Sequence, residues 1–154
     1  MKALTVQQPW AWAIFHGKRV ENRTQLWSYR GPLAIHAGAR WSDRGEDSFL
    51  VRSAFREHNR WWDGRTTLPR DPFEMGAIIG VVDLVDVHPD GKRCCPPWGE
   101  SGYVEHGGRE RRRITHLVLE NPRALAEPIP CKGALGLWNV PTDIVETINA
   151  AVIP

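Results

Sequence analysis

Residues 76–88 read GAIIGVVDLVDVH, and this run is the strongest strand signal in the chain. It is rich in β-branched residues, which pack well on a pleated sheet, and only Asp83 and Asp86 interrupt it. Gly76 and Gly80 indicate a bend or a β-bulge, which a small barrel needs at its corners. The run therefore predicts a long strand in a curved sheet.

Shorter strand and helix signals lie on both sides of this run. Alternating or apolar patterns predict strands at 3–6, 19–24, 33–37 and 114–119, and a last one within 131–140. Amphipathic or apolar patterns predict helices at 10–16, 42–62 and 143–152. This spacing does not fit alternating βαβ units. It predicts the α+β class: a small mixed β-barrel of five to six strands with two to three flanking helices.

Length and composition bound the class of protein. A chain of 154 residues with 42% hydrophobic residues is expected to form one soluble domain over 1–154. No stretch approaches the roughly 20 apolar residues of a membrane span, and the N-terminus does not have the pattern of a signal peptide. Three cysteines, two of them adjacent, argue against a disulfide framework. We therefore expect a cytoplasmic protein without membrane association.

The segment 89–113 is predicted to be a long irregular loop within the domain. Loops longer than about 12–15 residues are uncommon and are often functional or mobile. It ends in the basic cluster Arg109-Glu110-Arg111-Arg112-Arg113, which is either a solvated surface or a phosphate contact. One alternative for the whole chain is a protein-interaction module in which this loop folds onto a partner.

Neither a metal site nor a cofactor is expected. Cys94 and Cys95 have no spacer between them, and the other possible ligands follow no zinc spacing: His88, His106, His116 and Cys131. The chain also lacks a phosphate-binding P-loop, a dinucleotide fingerprint and a nucleophile elbow.

Two features of the composition favour nucleic acid as a partner. Only four of the 20 basic residues are Lys, and the rest are Arg, whose guanidinium makes forked contacts with phosphate and stacks on bases. Eight Trp supply flat faces for stacking, although packing at the edge of the core is the alternative. The net charge is only +2, so no strong global field attracts a polyanion.

Four separated motifs resemble those of the ASCH domain family, which belongs to the PUA-like group. The first is QQPWA at 7–11 with GKRVENR at 17–23. The others are YRGPLAIHAG at 29–38, IGVVDLVD at 79–86, and PCKG at 130–133 with GLW at 136–138. They follow the family's order across positions 3 to 140. The resemblance implies a PUA-like β-barrel with helices around its cleft, and an association with RNA or modified nucleosides.

The resemblance also brings a set of polar and aromatic residues to the cleft. A pocket for one base needs an aromatic face, a polar group that reads the base edge, and a cation for phosphate. We expect the nucleotide-binding residues to be Trp10, Lys18, Glu21, Arg23, His36, Lys132 and Trp138. Core packing is the alternative for Trp10, His36 and Trp138, and a structural ion pair is the alternative for Lys18, Glu21 and Arg23. The expected partner is RNA, single-stranded nucleic acid or a modified nucleoside.

A hydrolase is the main alternative. One branch of the family is an amidohydrolase that acts on N4-acetylcytidine with a Lys, a Thr three positions later and a distant Glu, and another member is described as a ribonuclease. The matching positions here are Lys18 and Glu21, which would be catalytic only in this case. Glu21 departs from the pattern, because a carboxylate beside Lys18 opposes its use as a base. Glu100 and Glu105 are the candidates for the distant carboxylate.

Overall fold

A computed structural model describes residues 1–106 and 110–152, which form a mixed α+β fold. In chain order the elements are β1 (Lys2–Gln8), α1 (Trp10–Ile14), β2 (Val20–Arg23), β3 (Gly31–Trp41), α2 (Asp43–Asp47), α3 (Phe49–His58), β4 (Ala77–Pro89), β5 (Tyr103–His106), β6 (Glu110–Arg113), β7 (Thr115–Pro130), β8 (Leu137–Asn139) and α4 (Thr142–Ala151).

Six of these strands form one sheet in the order β2-β7-β4-β3-β1-β8, with β4 near its centre. The pair β1 and β3 is parallel, and the other neighbours in this sheet are antiparallel. The register of β4 shifts between Ile78 and Gly80 against both of its neighbours, which leaves Ile79 as a bulge. The bulge predicted from the glycines is therefore present, and it lies next to Gly80.

The sheet does not close into a barrel, so that part of the prediction is wrong. The edge strands β2 and β8 pair with no further strand among the described residues. Across the opening, the side chain of Arg23 on β2 donates from Nη2 to the carbonyl oxygen of Thr5 on β1, at 2.9 Å. A side-chain contact, and not a backbone ladder, thus connects the two sides of the open sheet.

The helices and strands outnumber the predicted ones in the part of the chain that is described. The helix predicted over 42–62 is two helices, because Ser48 has extended backbone dihedrals and starts α3 as its N-cap. The Ser48 hydroxyl accepts a hydrogen bond from the Val51 backbone N–H at 3.3 Å. Ser42 caps α2 in the same way, because its hydroxyl accepts from the Gly45 backbone N–H at 3.0 Å.

The segment 89–113 is less irregular than predicted. Pro89 still belongs to β4, and the short strands β5 and β6 pair as an antiparallel hairpin near its end. The basic cluster therefore lies partly on β6, while Arg109 lies outside the described residues. None of the helices in the described part of the chain is both long and apolar enough to cross a membrane.

Three apolar clusters stabilise this arrangement. The first packs α1 against the sheet through residues such as Leu4, Ile14 and Leu117. The second lies under α4, and the third joins α1 to α3 around Phe55 and Trp62. Trp62 is thus a core residue, and several other tryptophans pack against the same third cluster: Trp10, Trp12, Trp41 and Trp98.

Candidate functional site

A cavity of about 900 Å³ opens beside the gap between β2 and β1. Its walls come from β1, β2, β3, the start of α1, and the segment 131–136 before β8. Six of the seven residues predicted to bind a nucleotide line it: Trp10, Lys18, Glu21, Arg23, His36 and Lys132. The volume lies within the range of small-molecule sites, roughly 300–1,000 Å³.

A buried charge network forms one wall of the cavity. Glu21 and Arg23 lie two residues apart on β2, so their side chains project from the same face. Lys18 reaches them because α1 ends before Gly17, whose φ of +108° favours glycine and turns the chain back. The Lys18 ammonium donates to Glu21 Oε1, and Arg23 donates to Glu21 Oε2 from Nε and Nη2, at 3.0 and 2.9 Å.

The Glu21 carboxyl is held in its ionised form by this network. Its burial acts to raise its pKa. The charges of Lys18 and Arg23, together with their hydrogen bonds, outweigh burial and keep the pKa below the ordinary value of 4.5. Because both cations converge on one carboxylate, the wall is ordered before any ligand arrives.

Trp10 forms a second wall, and its orientation is fixed. Its indole Nε1 donates to Ser42 Oγ at 2.9 Å, and the Lys18 ammonium lies 5.4 Å from its ring centroid. Gly45 of α2 packs against the Nε1 edge of the ring: a Cβ there would lie 3.0 Å from Trp10 Nε1 and 2.8 Å from Pro9 Cδ. The ring is therefore both a packing residue and part of the cavity lining.

His36 lines the cavity, whereas Trp138 does not. His36 is buried on β3, and its Nε2 lies 2.7 Å from the carbonyl oxygen of Cys131, which makes Nε2 the protonated nitrogen. Trp138 donates to Thr5 Oγ1 at 3.1 Å, and its ring lies edge-on to His36 with centroids 5.7 Å apart. The structure thus places Trp138 behind Thr5 and His36, where it supports the wall.

The rim of the cavity is cationic. Arg40 and Lys132 are exposed at the rim, and within the described part of the chain neither has a hydrogen-bond or ion-pair partner. Arg44 forms an ion pair with Glu100 at 2.5 Å. In all, the lining carries five cationic side chains and two carboxylates. A chain of low net charge therefore concentrates positive charge at one opening.

These features agree with the comparison against known families, in which the model of the ASCH domain matches residues 4–124. The chain belongs to the ASCH domain family. Its fold is also similar to a crystal structure of a mutant ASCH protein from Zymomonas mobilis, with a TM-score of 0.54 over 97% of this chain and 96% of the other. The two sequences are 11% identical, so the likeness concerns the fold alone. No curated protein matches the sequence.

The carboxylate candidates of the hydrolase alternative have different positions in this ASCH domain. Glu100 lines the cavity, and the segment around it is held by Asn22 of β2. Asn22 Nδ2 donates to the Trp98 carbonyl at 3.0 Å, and its Oδ1 accepts from the Glu100 backbone at 2.9 Å. The side chain of Glu105 lies outside the described residues.

The basic cluster predicted as a possible phosphate contact does not line the cavity. Its described members Arg111, Arg112 and Arg113 lie on β6, away from the cavity lining. Arg113 donates to the carbonyl oxygen of Asp90, and the Arg111 guanidinium lies 5.0 Å from the Tyr103 ring centroid. Arg111 therefore packs within the hairpin, and Arg113 connects the hairpin to the residue that follows β4.

Several residues of the ASCH cavity were missed by the sequence analysis. Asn22 lies in the motif at 17–23, between the predicted nucleotide-binding residues Glu21 and Arg23, and this position could have identified it as a cavity residue. Arg40 follows the strand predicted at 33–37 and Arg44 lies in the helix predicted at 42–62, and no pattern pointed to either as a cavity residue. Thr5 contacts both His36 and Trp138, and only the coordinates show this role.

A second polar cluster lies outside the cavity of the ASCH domain. The structure brings together four residues whose spacing along the sequence fits no zinc motif: His88, Cys94, Cys95 and His116. The pKa of the Cys94 thiol is lowered to about 6. The main cause is a hydrogen bond from the Gly91 backbone, and hydrogen bonds with neighbouring side chains add to it. Burial raises the pKa of the Cys95 thiol to about 11. These donor types are those that hold a soft divalent metal.

Proposed function

We propose that this ASCH domain binds RNA and accepts one unpaired base, or the base of a modified nucleoside, in the cavity beside β2. The observation that carries the proposal is the composition of that cavity. An ordered carboxylate, an aromatic ring and unpaired cations lie around one opening. RNA-binding proteins recognise unpaired bases by stacking, by hydrogen bonds to base edges, and by phosphate contacts. The association of the family with RNA supports the same conclusion.

Glu21 is the proposed reader of the base edge. An ionised carboxylate has about four acceptor sites, and Lys18 and Arg23 together donate three hydrogen bonds to it. One acceptor site is left for the exocyclic amine of a base, as carboxylates accept from cytosine N4. This capacity favours cytosine, adenine or guanine over uracil, which has no exocyclic amine.

The rim cations are the proposed phosphate contacts. Arg40 and Lys132 are exposed and flank the cavity, and both lack a partner in the described part of the chain. Each phosphate neutralised by such a cation releases counterions, so affinity falls as salt rises.

We include the cytoplasm as the proposed compartment, because RNA is present there and the three free thiols persist under reducing conditions.

Titration of a short fluorescent single-stranded RNA by polarisation tests the proposal. We expect saturable binding that weakens between 50 and 200 mM salt by roughly tenfold or more. Arg40→Ala and Lys132→Ala should each weaken binding and reduce the salt dependence. The matched control is Arg60→Ala, which removes an equal charge from an exposed position outside the cavity. Equal losses in all three variants would show that only net charge matters and would contradict the proposed site.

The hydrolase alternative is separated by a second assay. Incubation with N4-acetylcytidine should release no acetate above the level of Lys18→Ala, because the Lys18 ammonium is engaged by Glu21 and Glu21 by Arg23. Turnover that Lys18→Ala abolishes would overturn a role limited to binding. If a pull-down recovers a protein partner and the domain does not bind RNA, the protein-interaction module would instead be favoured.

A further inference from the structure

The cluster of His88, Cys94, Cys95 and His116 is built by strand pairing. His88 near the end of β4 and His116 near the start of β7 are direct partners in the antiparallel register. Cys94 and Cys95 follow in the turn after β4, and this turn brings their sulfurs back over the two imidazoles. One ligand atom from each of the four residues lies within 4.8 Å of all the others.

We propose that His88, Cys94, Cys95 and His116 bind one structural zinc ion at the end of the β4–β7 pair. Zinc–sulfur and zinc–nitrogen bonds of about 2.3 and 2.0–2.1 Å in a tetrahedron place neighbouring ligand atoms about 3.4–3.8 Å apart. His88 Nε2 lies 3.4 Å from the sulfurs of both Cys94 and Cys95. Cys94 Sγ lies 3.2 Å from His116 Nδ1. These separations are close to the edges of such a tetrahedron.

Hydrogen bonds outside the cluster orient both imidazoles for this role. His88 Nδ1 lies 2.7 Å from Asp86 Oδ2, and His116 Nε2 lies 2.6 Å from the Glu100 carbonyl oxygen. In a zinc site each histidine donates its outer N–H to such an acceptor, which fixes the ring and the tautomer. Here those contacts direct the lone pairs of His88 Nε2 and His116 Nδ1 towards the two sulfurs.

The donor set selects the metal and its role. Two thiolates and two imidazoles suit zinc, whereas magnesium and calcium prefer oxygen ligands. On binding, the two thiols release their protons to solvent, and the two thiolates balance the charge of the dication. Four protein ligands complete a tetrahedron and leave no open position, as in structural rather than catalytic zinc sites. Cys94 is exposed and provides the path by which the ion enters.

The backbone around the cluster is packed too closely for a larger residue at position 99. A Cβ on Gly99 would lie 2.6 Å from the Cys95 carbonyl oxygen, 2.7 Å from Cys95 Cβ and 3.1 Å from His116 Cε1. The Gly99 backbone also donates to the Cys95 carbonyl at 2.7 Å. Zinc held by Cys94 and Cys95 would fix the start of the segment 94–100, whose last residue, Glu100, lines the cavity beside β2. The metal proposal does not depend on RNA binding.

Metal analysis of the full chain tests the site. Protein expressed with zinc and purified in a metal-free reducing buffer should contain about one zinc per chain. Cys94→Ser and His116→Ala should each lose most of it. Cys131→Ser and His58→Ala are the matched controls, because they remove a cysteine and a histidine outside the cluster and should keep one equivalent. Full zinc content in Cys94→Ser, or none in the wild type after loading with zinc, would overturn the proposal.

Two further measurements remain informative if the ligand variants fail to fold. Cobalt added to metal-free wild-type protein should give the intense visible bands of a tetrahedral thiolate site, and weak octahedral bands would contradict the geometry. Asp86→Asn keeps all four ligands but weakens the support of His88. We expect its zinc affinity, measured by competition with a chromophoric chelator, to fall by roughly 10–100-fold. An unchanged affinity together with octahedral cobalt would exclude the site.

Discussion

Arg23 on β2 donates to the carbonyl oxygen of Thr5 on β1, at 2.9 Å, across the opening of the sheet. The same guanidinium makes two hydrogen bonds to Glu21, so one side chain joins the open sheet and orders the cavity wall. A planar fork with several fixed donors can serve both acceptors at once, whereas an ammonium is a single point charge. Arg23 therefore both links β2 to β1 and orders the Glu21 carboxylate in the cavity wall.

We expect Arg23→Lys to lower the free energy of unfolding by about 1.5–3 kcal/mol, because hydrogen bonds to a charged group are lost while the charge is kept. Urea denaturation followed by circular dichroism measures this change. Arg19→Lys is the matched control, since Arg19 is exposed and outside the cavity lining. Comparable losses in both variants would show that the fork of Arg23 has no special role.

Glu21→Gln should destabilise the protein by about 3–5 kcal/mol at neutral pH, because it leaves the buried Lys18 ammonium without its counter-ion. The pKa of Glu21 is lowered in the folded state, so its ionised form stabilises the fold above pH 4.5, the ordinary pKa of the group. That stability is lost as the pH falls through the folded pKa. The difference in unfolding free energy between wild type and Glu21→Gln should therefore shrink below pH 4.5. A difference that stays constant down to pH 3 would contradict the network.

Much of the sheet could be predicted because its strands carry local signals. Residues 76–88 form β4 almost over the predicted range, since β-branched residues are buried on both faces of a central strand. Closure of the sheet could not be predicted in the same way. Whether the edge strands β2 and β8 pair depends on how strongly the whole sheet curls, and no local sequence pattern encodes that curvature.

The two sites differ in how far the sequence could predict them. Lys18, Glu21 and Arg23 lie close together in one motif, so their proximity follows from a short turn and the two-residue period of β2. The partners His88 and His116 are 28 positions apart, and only the register of β4 against β7 places them side by side. Strands are predicted at both places but their pairing is not, so the spacing of these residues along the sequence led to the expectation of no metal site.

Trp10→Ala should weaken binding of single-stranded RNA by about 1–3 kcal/mol, the usual contribution of one stacked base. Trp61→Ala is the matched control, because Trp61 is 68% exposed and lies outside the cavity. Both titrations are made by polarisation, with circular dichroism to confirm that each variant is folded. If Trp61→Ala loses as much affinity as Trp10→Ala, the base stacks elsewhere on the protein.

Gly133→Ala tests how closely the segment before β8 packs against the cavity wall. A Cβ at position 133 would lie 2.6 Å from Thr5 Oγ1 and 2.7 Å from both His36 Cε1 and Nδ1, so it must displace the buried imidazole. We expect a loss of about 1–3 kcal/mol in unfolding free energy, as for other overpacked sites, and weaker RNA binding.

Gly91→Ala is the control for this variant, because a Cβ there meets no atom within 4 Å. The chemical shifts of the His36 ring protons provide a local measurement, and they should move in Gly133→Ala and stay in place in Gly91→Ala. Unchanged shifts with lowered affinity would mean that the loop acts on the ligand directly, through Lys132, rather than through the position of His36.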